Sequence, residues 1–355
     1  MNTRNRWIIL GLSLVAAVCV CEVAAASPIR GCPELVATVS SGTYSPKIIV
    51  SENVTYVIEG GGRLTILDTT TPTQPAVTWS GTVCDPYYDE DVFDAAVSAG
   101  TMFALYAPYG PSSWQELCVV DVSSPALPIR LGSEGFELDE PIRSLAVSGG
   151  YAYLVSHPVN NMMDLKLRVF DVMVPSSPVE IGGLYLHPGP DEPVDITVAG
   201  GHAYIAGQSW LAVIDVVVPS SPVYVGSLDI VDGADRLAVS GNYAYVAGPT
   251  GLRVIDVSTP SAPSEVGFVD IEGDVTGITV VGDLVYVSMP EGLRVIDVRI
   301  PSSPVVVGVA ELPLAWDVAA SGHYAYVVGE EGVFVFDASG CRHPVDNPLL
   351  HPAVD

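Results

Sequence analysis

The chain of 355 residues carries 41 acidic and only 14 basic side chains, a formal charge of −27, which makes nucleic acid and anionic membrane surfaces poor partners. Hydrophobic residues make up 49% of it, too many for a disordered chain, and its 34 glycines and 29 prolines are spread along the sequence rather than gathered in a linker. One domain is expected between a leader and a short tail.

At the amino end, Arg4 and Arg6 precede an apolar run from Trp7 to Cys21 and then Ala24-Ala25-Ala26-Ser27, the three parts of a secretory signal, with cleavage expected after Ala26. The run is shorter than the ~20 residues of a membrane span. Val18 before Cys19 and Val20 before Cys21 also argue against a lipid anchor, since lipoprotein processing wants a small residue there. Residues 1–26 are therefore read as a signal peptide and the mature chain as soluble, either secreted or periplasmic/cell surface, with no membrane span. Losing Arg4, Arg6 and Glu22 moves the formal charge from −27 to −28.

From there the segment exemplified by Leu252–Pro263 recurs seven times, its aspartate falling at Asp68, Asp121, Asp171, Asp215, Asp256, Asp297 and Asp337. The spacings, 53, 50, 44, 41, 41 and 40 residues, converge on the ~40–45 of one four-stranded propeller blade. In the fifth unit Leu237–Ser240, Tyr243–Ala247, Leu252–Val257 and Ser264–Val269 are β-branched and aromatic runs separated by Gly241, Gly248-Pro249 and Pro260-Ser261-Ala262-Pro263, hence four strands joined by turns. Consecutive apolar residues such as Val254-Ile255 predict sheets covered on both faces. The fold class is all-β, a seven-bladed β-propeller over residues 27–341. The repeated aspartate always ends a third strand before a turn, where its carboxylate accepts turn N–H groups, so it reads as structural. The pairs Tyr151/Tyr153, Tyr243/Tyr245 and Tyr324/Tyr326 read as packing between blades.

The consensus, near G-L-x-V-I-D-V-S-x-P-S-x-P-x-x-V-G, resembles the LVIVD-repeat family of exported β-propeller proteins. The likeness covers nearly all of residues 32–341. It is clearest at Gly251–Gly267, Gly292–Gly308 and Trp210–Gly226, and the first two units, Leu64–Pro75 and Leu117–Pro128, depart from the pattern. The resemblance implies the propeller and an exported address, and it implies no reaction.

Pro33–Ala37 aligns with Pro263–Gly267, so the amino-terminal segment is expected to be an outermost strand that completes the last blade, whose own sequence stops after its third strand at Asp337. In that alignment Cys32 replaces Ala262 and Cys341 replaces Pro260, two sides of one tight turn, and a Cys32–Cys341 disulfide is expected in the turn's place. Of the six cysteines Cys19 and Cys21 leave with the leader, so Cys84 and Cys118 form the second expected pair. Neither has a C-x-x-C companion, which argues against a metal site.

Six of the seven loops from an outermost strand to the next blade are acidic: Asp85, Asp89, Glu90 and Asp91, then Glu137, Asp139 and Glu140, Asp191 and Glu192, Asp229 and Asp232, Asp270, Glu272 and Asp274, and Glu311. Second-to-third-strand loops on the same face add Glu59, Glu116, Glu291, Glu330 and Glu331, whereas the opposite face reads as nearly uncharged. Calcium is the candidate ion, a hard cation taking carboxylate oxygens, though no D-x-D-x-D-G loop is present and no other cofactor is indicated. Counting back from each innermost-strand turn places Lys47, Asp94, Ser144, Asp195, Arg236, Gly277 and Asp317 around one mouth of the central channel. Asp94, Asp195, Arg236 and Asp317 form a candidate polar ligand site there.

There is no G-x-S-x-G, H-E-x-x-H, P-loop or G-x-G-x-x-G. His202 and His323 hold equivalent turn positions, and residues 342–355 form a proline-rich tail. The expected function is a non-enzymatic binding or scaffold module, a monomer, that presents its acidic face to a protein partner or to cations. The alternative is a hydrolase or lyase working at the channel mouth.

Overall fold

The computed structural model describes residues 32–40, 46–84, 90–108, 114–137, 141–157, 165–186 and 191–341. The expected signal peptide, the carboxyl-terminal tail, Asp85 and Asp89 lie outside them. Among the described residues every regular element is a strand, and the strands form seven four-stranded antiparallel sheets. Six are consecutive in the chain, over 47–82, 90–137, 142–186, 193–229, 236–270 and 277–311. The seventh joins 315–337 to Glu34–Val39.

Blade five shows why the sequence folds this way. Its strands are Arg236–Ser240, Tyr243–Gly248, Gly251–Asp256 and Ser264–Asp270. The two middle strands are buried almost throughout and the outermost is largely exposed, because both faces of the middle strands meet a neighbouring blade. Tyr245, Leu252 and Val254 of blade five share one apolar cluster with Val285, Val287 and Ile296 of blade six. Ile48, Val57 and Leu67 of blade one share another with Tyr326, Val328 and Val335 of blade seven, so the packing runs around a closed circle. Tyr153, Tyr245 and Tyr326 are buried in these clusters and their companions Tyr151, Tyr243 and Tyr324 pack against them, as expected of side chains between blades.

The ring closes in the expected register. Glu34 pairs with Asp337, Leu35 with Phe336 and Ala37 with Val335, with a bulge at Val36. Blade five pairs Ser264 with Asp256, Glu265 with Ile255 and Gly267 with Val254, with the same bulge at Val266.

The glycine that follows this bulge takes the neighbouring blade's third-to-fourth-strand turn. A β-carbon at Gly226 would lie 2.7 Å from the Pro260 carbonyl oxygen, one at Gly182 2.7 Å from that of Ser220, and one at Gly267 would overlap that of Pro301. At Gly308 the turn is missing and its place is held by Cys32 and Cys341, whose carbonyl oxygen and Sγ would lie 2.8 and 3.1 Å from such a carbon. Cys32 and Cys341 are disulfide-bonded with Cα atoms 5.1 Å apart, and Val309 N–H donates to the Cys32 carbonyl at 3.2 Å. The bond is thus the seventh turn.

Cys84 and Cys118 are bonded as well, Cα atoms 6.1 Å apart. Cys118 lies in the middle of Trp114–Asp121 and is fully buried, since the third strand of blade two starts earlier than the degenerate repeat suggests. All seven repeat aspartates accept the amide N–H two residues on, at 2.7–3.0 Å.

Two outcomes follow from this packing. Gly267→Ala forces a methyl group into the Pro301 backbone and is expected to lower unfolding free energy by about 1–3 kcal/mol in denaturant titration. The double variant Cys32→Ala/Cys341→Ala frees a closure of 309 residues and is expected to lose up to about 5 kcal/mol while keeping its β-rich circular dichroism. An unchanged melting temperature in either would contradict the docking described.

Candidate functional site at the channel mouth and acidic face

The innermost strands surround a central cavity of about 730 Å³ whose lining includes all seven ring positions: Lys47, Asp94, Ser144, Asp195, Arg236, Gly277 and Asp317. A register shift immediately before Asp94, Ser144, Asp195 and Asp317 leaves Phe93, Arg143, Val194 and Trp316 as the bulged residues. Three of these, Phe93, Arg143 and Val194, also reach the cavity, and so does Asp235 before Arg236. Counting one residue per blade misses them, and for Phe93, Arg143 and Val194 the bulge is the reason.

Most ring side chains bind the next blade. The Asp94 carboxylate accepts Leu145 N–H at 2.8 Å, Asp195 accepts Leu237 N–H at 2.8 Å, and Asp317 accepts Ile48 N–H at 3.0 Å across the closure. Ser144 takes the same place with Ile196 N–H at 3.4 Å. Arg236 reverses the polarity and donates to the Thr276 carbonyl at 2.9 Å and to the Asp235 carbonyl at 2.8 Å. Lys47 and Gly277 offer no acceptor, and after each of them the next aspartate also caps its own strand: Ala95 N–H donates to Asp94 at 2.9 Å and Val318 N–H to Asp317 at 2.9 Å. Buried amides left unpaired cost about 1–3 kcal/mol each, which accounts for the acids at these positions.

One run spans three blades. The Ser144 hydroxyl lies 2.6 Å from Asp94 Oδ2 and 3.3 Å from Asp195 Oδ1, so its single proton serves one carboxylate at a time. Both acids keep some contact with the channel yet are hemmed in by protein. Burial pushes the Asp195 carboxyl up to about 6, helped by the Asp94 charge and opposed by Arg236, by the Leu237 amide and by Lys47. Burial raises Asp317 too, against Lys47 and the Ile48 amide.

Such a pKa suits a general acid or base, but both oxygens of Asp94 and Asp317 accept amides, Asp195 Oδ2 accepts Leu237 N–H, and Asp195 Oδ1 shares the Ser144 proton with Asp94. Among the described residues no group of three or more His, Cys, Asp or Glu is placed to hold a metal ion.

At the same end of the ring, blades four to seven carry exposed carboxylates at Asp229, Asp232, Asp270, Glu272, Asp274, Glu291, Glu311, Glu330 and Glu331. The loops that bear them, over 227–235, 268–277, 289–292, 309–316 and 329–332, contain no lysine or arginine. Elsewhere on that end three described acids pair with arginine: Glu192 with Arg143 at 2.8 Å, Glu116 with Arg130 at 2.5 Å and Glu59 with Arg63 at 3.4 Å. Among the described residues Asp232 is the arc acid that approaches a cation, Arg253 at 3.7 Å. Glu90 and Asp91 start the innermost strand of blade two.

The opposite face is not the nearly uncharged surface expected. It carries the seven turn aspartates, and hydrogen bonds from Thr70, Ser123 and Ser258 hold the carboxyls of Asp68, Asp121 and Asp256 below the usual range. On the arc only Asp270 among the described carboxylates repeats that pattern, accepting the Glu272 amide at 3.1 Å.

The pattern of one known family, the LVIVD repeat, matches residues 42–82, 112–133, 142–184, 193–230, 233–271, 272–310 and 314–345. The chain belongs to the LVIVD repeat family. No curated protein matches it. Among solved structures, this LVIVD-repeat chain is similar to the WD40 β-propeller domain of Doa1, with a TM-score of 0.62 and 12% identity over 86% of this chain and 97% of that one. It is also similar to the computationally designed Ika8 protein, TM-score 0.58 and 10% identity, over 86% of this chain and 99% of that one. At such identities the likeness is one of fold.

The raised Asp195 gives the LVIVD-repeat ring a pH signature. Its folded pKa, about 6, exceeds the ~3.9 of an unfolded aspartate, so the native state binds the extra proton and Asp195's contribution to stability falls as pH rises from about 4 through 6. Asp195→Asn keeps an acceptor for Leu237 and removes that dependence. The variant is expected to gain roughly 2–3 kcal/mol on the wild type between pH 4 and 7 in paired denaturant titrations, and parallel curves would contradict the burial of this carboxyl.

Proposed function

We propose that this LVIVD-repeat propeller is an exported, non-enzymatic binding or scaffold module whose acidic loop face receives a basic protein segment or cations. The observation that carries the reading is the arc of exposed carboxylates on blades four to seven in loops without a lysine or arginine. In the arc Asp270 accepts the Glu272 amide at 3.1 Å and Asp232 lies near Arg253, and the other exposed carboxylates are open to a partner. Their summed field reaches about a Debye length, ~8 Å at physiological salt, and speeds encounter with a cationic partner more than any single pair strengthens the complex.

Export is supported by the leader-like residues 1–26 and by two disulfides, which persist in oxidising compartments. Among the described residues no helix is long and apolar enough to cross a membrane. Asp85, Asp89, Glu90 and Asp91 would extend the acidic face toward blade two, and calcium is the natural metal ion for it. The hydrolase or lyase reading at Asp94, Asp195, Arg236 and Asp317 draws support from the raised Asp195 carboxyl but lacks a free nucleophile or base, since these carboxylates hold the blades together.

The test replaces Asp270, Glu272, Asp274, Glu330 and Glu331 by their amides and titrates a deca-lysine peptide at low and high salt. The variant is expected to bind at least about tenfold more weakly, with a flatter salt dependence, at unchanged melting temperature. Equal affinity and equal salt slope would overturn the proposal. A wild-type melting temperature raised by calcium and lowered by chelator, and insensitive in the variant, would assign the face to the metal ion.

A further inference from the structure

The end of the ring opposite the acidic arc carries an apolar rim on blades two to four. In every blade the second and third residues after the repeat aspartate lie on the surface of the third-to-fourth-strand turn. In blades one, two and five they are Thr70-Thr71, Ser123-Ser124 and Ser258-Thr259, and the first hydroxyl joins its own amide on the aspartate. Blades three and four place Met173-Val174 and Val217-Val218 there, 57–69% exposed, and only the amide of the first is left to donate. The turn forgoes a hydrogen bond and gains uncovered side chains, so its own stability does not explain the choice. Clustered exposed apolar residues mark a contact surface.

Blade packing gathers them into one rim. A β-carbon at Gly132 of blade two would lie 3.0 Å from the Ser176 carbonyl oxygen of blade three, and one at Gly182 of blade three 2.7 Å from that of Ser220 of blade four, so each apolar turn is seated on the preceding blade's outermost strand. Those strands start at Ile129 and Val179, directly opposite Asp121 and Asp171, and that of blade four at Val223 opposite Asp215. These three residues are 51–56% exposed, and Leu127 extends the same edge. On the inner side Met173 and Val217 lie over Gly150 and Gly201, where a β-carbon would come 3.0 Å from Met173 Cγ and 2.8 Å from Val217 Cγ2. The turns Gly149-Gly150 and Gly200-Gly201 have no side chain to cover them, whereas blades five to seven hold Asn242, Asp283 and His323 in the place of the second glycine.

We propose that two copies of this chain pair through the rim about a twofold axis, their acidic arcs pointing away from each other. The rim exposes on the order of 800 Å², the area each partner buries in a standard interface. Charge favours a second copy as the occupant: a chain of net charge −27 meets itself at least cost where the open carboxylates of blades four to seven are farthest away. The turn aspartates Asp121, Asp171 and Asp215 stay at the rim, bound to their own turns, and a protein contact can leave them at its edge, whereas a lipid surface would have to take them in. Pairing the rim with itself covers both apolar surfaces at once. A monomer is what the sequence alone suggests, because only the packing of blade on blade brings these residues together. The rim shares no residue with the acidic arc, so it stands or falls apart from the binding role proposed above.

Sedimentation velocity of the mature protein from about 1 to 100 μM is expected to show monomer passing into dimer. Raising sodium chloride from about 0.05 to 1 M should tighten the dimer, since salt screens the like charges and leaves apolar contact intact, the reverse of its effect on deca-lysine binding. The variant Met173→Ser/Val174→Thr/Val217→Ser/Val218→Thr gives both turns the residues of blade five. It should keep the circular dichroism of the wild type and raise the dissociation constant of the dimer at least about tenfold, while the amide variant of the acidic arc pairs as the wild type does. A monomer at every concentration, a dimer that salt dissociates, a turn variant that pairs like the wild type, or a monomeric wild type that floats with uncharged phosphatidylcholine vesicles would each overturn the proposal. The concentration and salt series on the wild type decide it even if a variant fails to fold.

Discussion

Everything in this molecule depends on sheets that are apolar on both faces. A strand such as Gly251–Asp256, buried from end to end, needs a neighbour on each side, and a row of such sheets has no natural end. Closing the row into a circle removes the two outer faces. That is why the first strand, Glu34–Val39, crosses the whole sequence to pair with Gly332–Asp337, and why the apolar cluster of Ile48 and Val57 is completed by Tyr326 and Val335. Backbone hydrogen bonds and a disulfide secure the join, but burying the faces of blades one and seven is the thermodynamic reason for it.

Polar groups at the channel obey the same need for a neighbour. In four blades an amide of the innermost strand meets an acceptor on the preceding blade, which joins two blades through one hydrogen bond. Asp94, Ser144, Asp195 and Asp317 supply it. Where Lys47 and Gly277 cannot, the following aspartate binds two amides, one in its own strand and one in the next blade. A β-carbon at Gly277 would collide with Asp317, so the residue that lacks an acceptor also clears the space in which its neighbour does both tasks.

A count of acids alone therefore misleads. Ring aspartates and turn aspartates are structural members that hold backbone amides, and most of the exposed carboxylates of blades four to seven hold none.

Periodicity alone settled the blade number, the strand order and the fastening of the two ends, because a repeat spaced near 41 residues admits one supersecondary unit and the alignment of Pro33–Ala37 with Pro263–Gly267 leaves one vacant place for that strand. The roles of the repeat aspartates and the membership of the channel ring were legible too, since both recur at fixed offsets from a turn. Hidden from the sequence were the bulges that bring Phe93, Arg143 and Val194 to the cavity, the early start of the strand holding Cys118, and above all which carboxylates are occupied. Those depend on contacts between residues some 40–50 positions apart in neighbouring blades, such as Asp195 with Leu237 or Ser144 with Asp94, and only the closed ring brings their atoms within hydrogen-bonding distance.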